Sequence, residues 1–236
     1  MNKLAVFVEG YTEVVFVEKL VEEIAGEQNV LIERREIRGG GSRSGRRRTF
    51  ARVRAARRET GQQYYVLIVD CGGDNLVKTR ILEEHENFHR DGYQKIIGLR
   101  DVRPTFTHAD IPRLRRELPH HIKKSFIPVE WVLAILEVEA WFLTEATHFS
   151  RIDPAITTAT IQTTLGFNPE TEPMDQRLTP ADDMNGCYQI GGRVYQKGNA
   201  SATVNAPDIA AIYIDLSERI PDLKTLCDSI SSFLRS

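Results

Sequence analysis

The sequence predicts an α/β fold in which a mostly parallel sheet is flanked by helices. Short buried-strand runs alternate with amphipathic helical patterns, beginning with "KLAVFVE" and "TEVVFVEKLVEEI". The run "QYYVLIVD" is continuously apolar, as is typical of a strand buried on both faces of a parallel sheet. The chain has 236 residues, which fit one domain, or one domain with an elaboration.

The elements follow in order along the first part of the chain. Helix "TEVVFVEKLVEEI" places Val14, Val17, Val21 and Ile24 on one stripe. Further strands are predicted at "VLIERREI", "QYYVLIVD", "QKIIGLRD" and "IPVEWVLAI", and helices at "NLVKTRILEEHENFH", "ADIPRLRRELPHHI" and "LEVEAWFLTEA". We also expect a helix from Gly45 to Thr60, with Phe50, Val53 and Ala56 as its inward edge.

The second part of the chain has a different composition. Residues 150–205 are rich in Thr, Pro, Asn, Asp and Gly, which predicts long loops with a short helix near Thr157–Leu165. Two closing helices are expected near Pro207–Leu216 and Leu223–Leu234. We therefore predict an α/β domain over residues 1–148 and a loop-rich, helical C-terminal extension over residues 149–236, packed on the same domain.

Composition excludes several classes of protein. The longest uncharged apolar run, "WVLAIL", is far shorter than the roughly 20 residues that a membrane helix needs, so no membrane contact is expected. Three widely spaced cysteines, Cys71, Cys187 and Cys227, fit reduced thiols better than a disulfide framework. These features indicate a cytoplasmic protein.

The net charge of −2 conceals a strong asymmetry. Residues 34–58 hold eleven arginines and one glutamate, a net charge of +10 that leaves −12 for the rest of the chain. Because the planar guanidinium fork suits phosphate, this basic segment predicts nucleic-acid binding without sequence readout. The expected phosphate-binding residues are Arg43, Arg46, Arg47, Arg48 and Arg52. The alternative is a solvated helix face beside a flexible glycine loop.

Acidic residues recur where the predicted strands end. Glu9 ends the first strand, Asp70 and Asp101 end later ones, and Glu137 and Glu139 follow the last. Ligands of open α/β sheets collect at the carboxyl ends of the strands, and clustered carboxylates repel one another unless a cation neutralises them. An all-oxygen ligand set favours Mg²⁺ or Mn²⁺. Each acid also has an ordinary explanation, as a turn residue or a partner of a helix dipole.

Three stretches carry a resemblance to a known family: "VEGYTE", "VLIVDCGGDN" and "LEVEAWFL". The first resembles the glutamate motif of the Toprim fold, written E-G-x-T-E in the overcoming-lysogenization-defect (OLD) nucleases. The second occupies the place of the D-x-D motif, with Gly72 where a second acid is usual. The third, with "YQKG" downstream, is similar to a family of small bacterial Toprim-like proteins that is described only as a domain of unknown function.

The resemblance implies a Toprim or Rossmann-like fold and metal-dependent phosphodiester hydrolysis. It assigns metal binding to Glu9, Glu13 and Asp70, with Asp74 substituting for the missing acid. Glu9, Asp70 and Glu139 would be catalytic, and Lys197 would stabilise charge on the phosphate. The similar proteins often accompany ATPases in anti-phage modules, so an ATPase partner is also expected. The choice between DNA and RNA, and homo-oligomer formation, stay open.

Two other functions are open on the sequence alone. The run "HENFH", His85 to His89, matches the H-E-x-x-H signature of zinc peptidases, in which two histidines one helical turn apart bind zinc. Its ordinary explanation is a pair of exposed histidines in an acidic helix. A module that binds nucleic acid or a partner without catalysis is the main alternative, and Gly72 in the D-x-D position favours it.

Overall fold

The protein forms a six-stranded sheet covered by helices on both faces. The structure is a computed structural model that describes residues 1–26, 30–38, 49–54, 61–73, 76–195 and 206–236. The strand order is β3-β2-β4-β1-β5-β6, and every neighbouring pair is parallel except β2 and β3. The predicted α/β class with a mostly parallel, helix-flanked sheet is therefore confirmed.

The strand bounds agree closely with the apolar runs of the sequence. The strands are β1 (Asn2–Val8), β2 (Val30–Arg38), β3 (Thr49–Arg54), β4 (Tyr64–Asp70), β5 (Lys95–Asp101) and β6 (Val129–Ala134). Strands β1 and β4 lie at the centre, and their side chains are buried on both faces. This two-sided burial is why both read as continuous hydrophobic runs.

Helices follow most of the strands. They are α1 (Tyr11–Ala25), α2 (Leu76–Arg90), α3 (Ile111–Glu117), α4 (Glu139–Thr144), α5 (His148–Ile152), α6 (Thr158–Leu165), α7 (Pro180–Ile190), α8 (Ile209–Ala211) and α9 (Pro221–Leu234). A π-helical turn (Ile212–Leu216) continues α8. None of the helices in these ranges is long and apolar enough to cross a membrane.

Alternate residues of the strands belong to two apolar clusters, one on each face of the sheet. Val6 and Ile68 pack with α1, α4 and α9 on one face, while Phe7 and Leu67 pack with α2 on the other. We call these the α1 face and the α2 face. Leu223 and Leu226 of α9 belong to the same cluster as α1, so the C-terminal helices share the core of the sheet.

One helix prediction was wrong. Residues 49–54, placed in a helix from Gly45 to Thr60, form the edge strand β3, which pairs antiparallel with Arg34–Arg38 of β2. Phe50 of this strand packs on the α2 face, while Val53, of the other set of alternating residues, is exposed. Tertiary pairing with β2 outweighed a weak helical pattern.

The prediction of long loops over residues 150–205 was also incomplete. Besides the expected α6, this region contains α5 and α7, and α7 begins with Pro180 at its first position. Met184, Cys187 and Tyr188 of α7 are buried. Part of the polar composition that suggested loops lies at exposed helical positions, such as Gln162, Thr163 and Thr164 of α6.

Candidate functional site

The ends of β1 and β4 bring Glu9 and Asp70 to the same edge of the sheet. In the register of the sheet, Val8 of β1 lies opposite Asp70 of β4, and Glu9 follows Val8 directly. The chain beyond β4 stays on the end of β1, because the Cys71 amide donates to the Val8 carbonyl and the Gly73 amide to the Glu9 carbonyl, each at 3.0 Å. Backbone hydrogen bonds therefore hold the segments that carry two of the predicted acids side by side.

Glu9 is buried and faces an arginine. Only 5% of Glu9 is exposed, and its Oε1 lies 3.8 Å from Nε of Arg100, whose side chain is also buried. The Arg100 guanidinium lies 5.0 Å from the centre of the Phe106 ring. Burial lowers the pKa of Arg100, and the charge of Glu9 opposes that effect.

Sequence reasoning missed Arg100. From the sequence, a metal cation is the expected partner of the acids at the strand ends, and no arginine lies near Glu9 in the sequence. Strand β5 is the neighbour of β1, however, and brings Arg100 to Glu9 across 91 positions of chain. Arg100 is the residue before the last one of a buried strand, where a charged side chain needs a partner. This position was the signal in the sequence that could have identified Arg100.

Asp70 lies in an acidic environment at the end of β4. Its Oδ1 accepts a 2.8 Å hydrogen bond from the Gly72 amide, and Glu36 is its register partner on β2. Burial raises the pKa of Asp70; the hydrogen bond from Gly72 opposes that effect, and the negative charge of Glu36 adds to it. A bound cation would relieve this repulsion.

The backbone favours glycine at position 72, where the D-x-D motif would have its second acid. Gly72 has a φ of +78°, and a Cβ atom at this position would lie 3.4 Å from the carbonyl oxygen of Ile37. Side chains are strained at such a φ, so glycine is the residue that suits this turn. Asp74, the proposed substitute, lies outside the described residues.

Glu13 and Glu139 face a common phenol. Glu139, at the start of α4, is fully buried, and its Oε1 accepts a 2.6 Å hydrogen bond from the Tyr195 hydroxyl. Glu13, in the first turn of α1, accepts a 3.1 Å hydrogen bond from the Gly10 amide. Burial, then the charge of Glu139 and its hydrogen bond, and then the charge of Glu13 raise the pKa of Tyr195. Tyr195 was not predicted from the sequence, although it opens the "YQKG" stretch.

The remaining acids at the strand ends stabilise the connections between elements. Asp101 is buried, and its Oδ1 accepts a 3.2 Å hydrogen bond from the Val138 amide. Glu137 Oε2 accepts a 3.0 Å hydrogen bond from the Ala181 amide in the first turn of α7. These contacts fix the chain that leaves β6 and position α4, which carries Glu139.

The candidate ligand atoms at this edge are carboxylate oxygens, which are the kind of ligand that Mg²⁺ prefers. Across the described ranges, no group of three or more His, Cys, Asp or Glu side chains is placed to hold a metal ion. Mg²⁺ is nevertheless usually bound by one or two carboxylates and keeps several waters, so two carboxylates such as those of Glu9 and Asp70 would be enough protein ligands in number.

Much of the predicted nucleic-acid surface lies outside the described residues, namely Arg43, Arg46, Arg47 and Arg48, as does Lys197. In the part that is described, five arginines of the basic segment contact glutamates. The contacts are Arg34 and Arg54 with Glu18, Arg35 and Arg52 with Glu33, and Arg38 with Glu36. The +10 charge of the segment therefore overstates its free positive charge.

The H-E-x-x-H run is engaged in packing. His85 is buried rather than exposed, and its Nε2 lies 2.7 Å from the carbonyl oxygen of Ile127. The exposed His89 stacks on the Phe126 ring, at 4.9 Å between ring centres. These contacts give both imidazoles a structural role in this conformation.

A scan against protein-family models, a search of curated proteins and a search of solved structures each gave no match to this chain. The resemblance to the Toprim family therefore depends on the sequence motifs alone.

Proposed function

We propose that the protein is a metal-dependent nuclease that hydrolyses phosphodiester bonds of DNA or RNA. The observation that supports this proposal best is the backbone connection between the ends of β1 and β4, which holds Glu9 beside Asp70 at the carboxyl edge of the sheet. Ligands of open α/β sheets bind at that edge.

In the proposed site Glu9 and Asp70 bind Mg²⁺ or Mn²⁺. The ion would supply Lewis-acid activation of a water and stabilise the charge that develops on the phosphate. Arg100 stabilises the negative charge of Glu9, and on the α1 face the buried Glu139 accepts the hydrogen bond of Tyr195, with Glu13 also buried. Lys197 is proposed to contact the phosphate, and Asp74 to complete the metal ligands.

The basic segment is proposed to hold the nucleic-acid backbone. Arginines that already pair with glutamates contribute less to such binding, so we assign it chiefly to Arg43, Arg46, Arg47 and Arg48, and to the outer part of Arg52. An ATPase partner and a role in anti-phage defence are proposals that rest on the family resemblance.

A cleavage assay tests the proposal. Purified protein is incubated with plasmid, single-stranded DNA and tRNA in Mg²⁺ or Mn²⁺, with EDTA as the control. We expect cleavage with the cation and none with EDTA, and we expect Glu9→Gln and Asp70→Asn to abolish it while both variants remain folded. The exposed residue Glu22 provides the matched control, since Glu22→Gln should cleave as wild type does. Cleavage that persists in EDTA, or in both acidic-site variants, would refute the proposal.

A binding module without catalysis is the second candidate. The observation in its favour is that Glu13, Asp70, Glu139 and Asp101 each accept a hydrogen bond from the protein, and that Gly72 replaces an acid. This alternative predicts that the protein retards nucleic acid in a gel without degrading it, equally in Mg²⁺ and EDTA.

A further inference from the structure

A polar cavity of about 560 Å³ lies on the α2 face of the sheet. Its polar walls are formed by Lys3, Glu33, Arg35, Arg52, Tyr65, Asp91 and Tyr93. Leu31 and Ile37 of β2 pack on the α2 face, so the alternate residues Glu33 and Arg35 project to the same side. Asp70 and its partner Glu36 belong to the other set of alternating residues, so the cavity is separated by the sheet from that acidic pair.

A buried carboxylate organises this cavity. Glu33 is only 6% exposed, and its Oε1 accepts hydrogen bonds from Nε of Arg35 at 2.6 Å and Nε of Arg52 at 3.2 Å. Burial alone would raise the pKa of Glu33, but the hydrogen bond and charge of Arg35, together with Tyr65 and Arg52, lower it. Glu33 is therefore an anion that holds two guanidinium groups in place.

The cavity keeps an excess of positive charge. The Glu33 carboxylate lies between the guanidinium groups of Arg35 and Arg52, and each of them donates to it through Nε. In the described part of the chain, the terminal Nη atoms of these arginines make no hydrogen bond to Glu33. The Lys3 ammonium donates to the Asp91 carbonyl oxygen at 2.8 Å and lies 5.7 Å from the centre of the Tyr93 ring. Three cations thus line the cavity with two carboxylates, the buried Glu33 and the exposed Asp91, which leaves one net positive charge.

The phenols supply further polar groups. Tyr65 and Tyr93 have ring centres 6.2 Å apart, and both line the cavity together with Glu33. Phenol oxygens accept hydrogen bonds from hydroxyl groups. The charged side of the cavity and its phenol side therefore suit different parts of one ligand.

We propose that this cavity binds a small organic phosphate of nucleoside-monophosphate size. Guanidinium groups bind phosphate through paired N–H donors, and Arg35 and Arg52 are preorganised for it by Glu33. The volume lies within the roughly 300–1,000 Å³ of typical ligand pockets, and a bare phosphate ion would leave most of it unfilled. The phosphate lies against the guanidinium groups and Lys3, and the sugar hydroxyls lie against Tyr65 and Tyr93.

Isothermal titration calorimetry of the full chain in EDTA tests this site. The probes are AMP, ribose 5-phosphate, adenosine and inorganic phosphate, each titrated separately. We expect saturable binding of AMP or ribose 5-phosphate, and binding at least about tenfold weaker for adenosine and for inorganic phosphate. Binding of neither organic phosphate, or equal binding of inorganic phosphate, would overturn the proposal.

Variants locate the binding to the cavity. Arg52 has a 59% exposed side chain on an edge strand, so Arg52→Gln should fold, and we expect it to weaken binding about tenfold. Arg52→Lys keeps the positive charge but lacks the guanidinium fork, so its affinity should lie between those of wild type and Arg52→Gln. Arg116→Gln, an exposed arginine on α3, is the matched control and should bind as wild type does. If Arg52→Gln is folded by circular dichroism and binds unchanged, the site is not this cavity.

This inference is independent of the proposed nuclease. Binding is measured without divalent cations, and Asp70→Asn should retain it because Asp70 lies on the other face of the sheet. A protein that binds AMP but cleaves nothing would refute only the nuclease, and the converse result would refute only this site.

Discussion

The Tyr195 hydroxyl donates a 2.6 Å hydrogen bond to Glu139, a carboxylate with no solvent exposure. Tyr195 follows α7 and Glu139 begins α4, so this bond joins two parts of the chain that are 56 residues apart. A buried carboxylate costs free energy unless hydrogen bonds compensate its desolvation. The bond therefore anchors the C-terminal region at the candidate active site.

Removal of this donor should destabilise the fold. We expect Tyr195→Phe to lower the free energy of unfolding by about 1–3 kcal/mol, because it removes a hydrogen-bond donor from a buried carboxylate. At roughly 2–4 °C per kcal/mol, thermal melts monitored by circular dichroism would detect that loss.

The matched control is Tyr188→Phe. Tyr188 is equally buried and packs 5.8 Å from the Tyr195 ring, but its hydroxyl makes no hydrogen bond to the residues that the structure describes. This control should melt close to wild type. Equal losses in the two variants would show that the hydroxyl of Tyr195 has no special role.

The conformation of Gly72 makes a second prediction. At a φ of +78°, Gly72→Ala should cost about 1–2 kcal/mol in the free energy of unfolding. Gly72→Asp restores the second acid of the D-x-D motif, and Asp tolerates this φ better than Ala does. Its negative charge, however, adds to the repulsion between Asp70 and Glu36. In EDTA we expect Gly72→Asp to melt no higher than Gly72→Ala.

Thermal melts with Mg²⁺ then distinguish the cost of backbone strain from the effect of metal binding. If the edge binds the ion, Mg²⁺ should raise the melting temperature of Gly72→Asp more than that of Gly72→Ala. Gly92 has almost the same φ, +77°, with no atom within 4 Å of a built Cβ, so Gly92→Ala and Gly92→Asp measure the backbone cost alone. Equal responses to Mg²⁺ at both positions would count against a metal at this edge.

The sequence could predict the central elements because their residues carry strong local patterns. "KLAVFVE" and "QYYVLIVD" are continuously apolar, and both form buried central strands within one residue of the expected bounds. The acids that end them could be predicted too, since strand ends define the carboxyl edge.

Long-range partners could not be predicted in the same way. Nothing near Glu9 in the sequence points to Arg100, and nothing near Glu139 points to Tyr195, because each pair meets only after the sheet and the helices have assembled. The error at β3 has the same origin, since an edge strand depends on pairing with β2 rather than on its own pattern.

Glu18 provides a third prediction, on that edge strand. It is buried on α1 and contacts Arg34 of β2 and Arg54 of β3. We expect Glu18→Gln to lower the free energy of unfolding by about 2–3 kcal/mol, since it leaves the largely buried Arg34 without its counter-charge. The exposed Glu22, one helical turn later, is the control, and Glu22→Gln should stay within about 0.5 kcal/mol of wild type in urea titrations. Similar midpoints for the two variants would contradict this role.

The fourth prediction concerns the pH dependence of stability at Asp70. Burial and Glu36 raise the folded-state pKa of Asp70 above its ordinary value of 3.8, so the folded state holds this proton more tightly than the unfolded chain does. The contribution of Asp70 to stability is therefore fully present below pH 3.8 and is lost as the pH rises through the folded-state pKa. Asp70→Asn removes this loss, because an amide stays neutral and can still accept from the Gly72 amide.

Without metal, Asp70→Asn should thus melt as high as wild type or higher at neutral pH, with an advantage that shrinks as the pH is lowered towards 4. Mg²⁺ should reverse the order by raising the wild-type melting temperature more than that of the variant, because a ligand stabilises only the state that binds it. Asp228, whose side chain is 67% exposed on α9, is the control, and Asp228→Asn should show no such reversal. An Asp70→Asn variant that melts below wild type in EDTA at pH 7 would mean that this carboxylate stabilises the fold through its charge, as an ordinary turn residue does, and would favour the binding module over the nuclease.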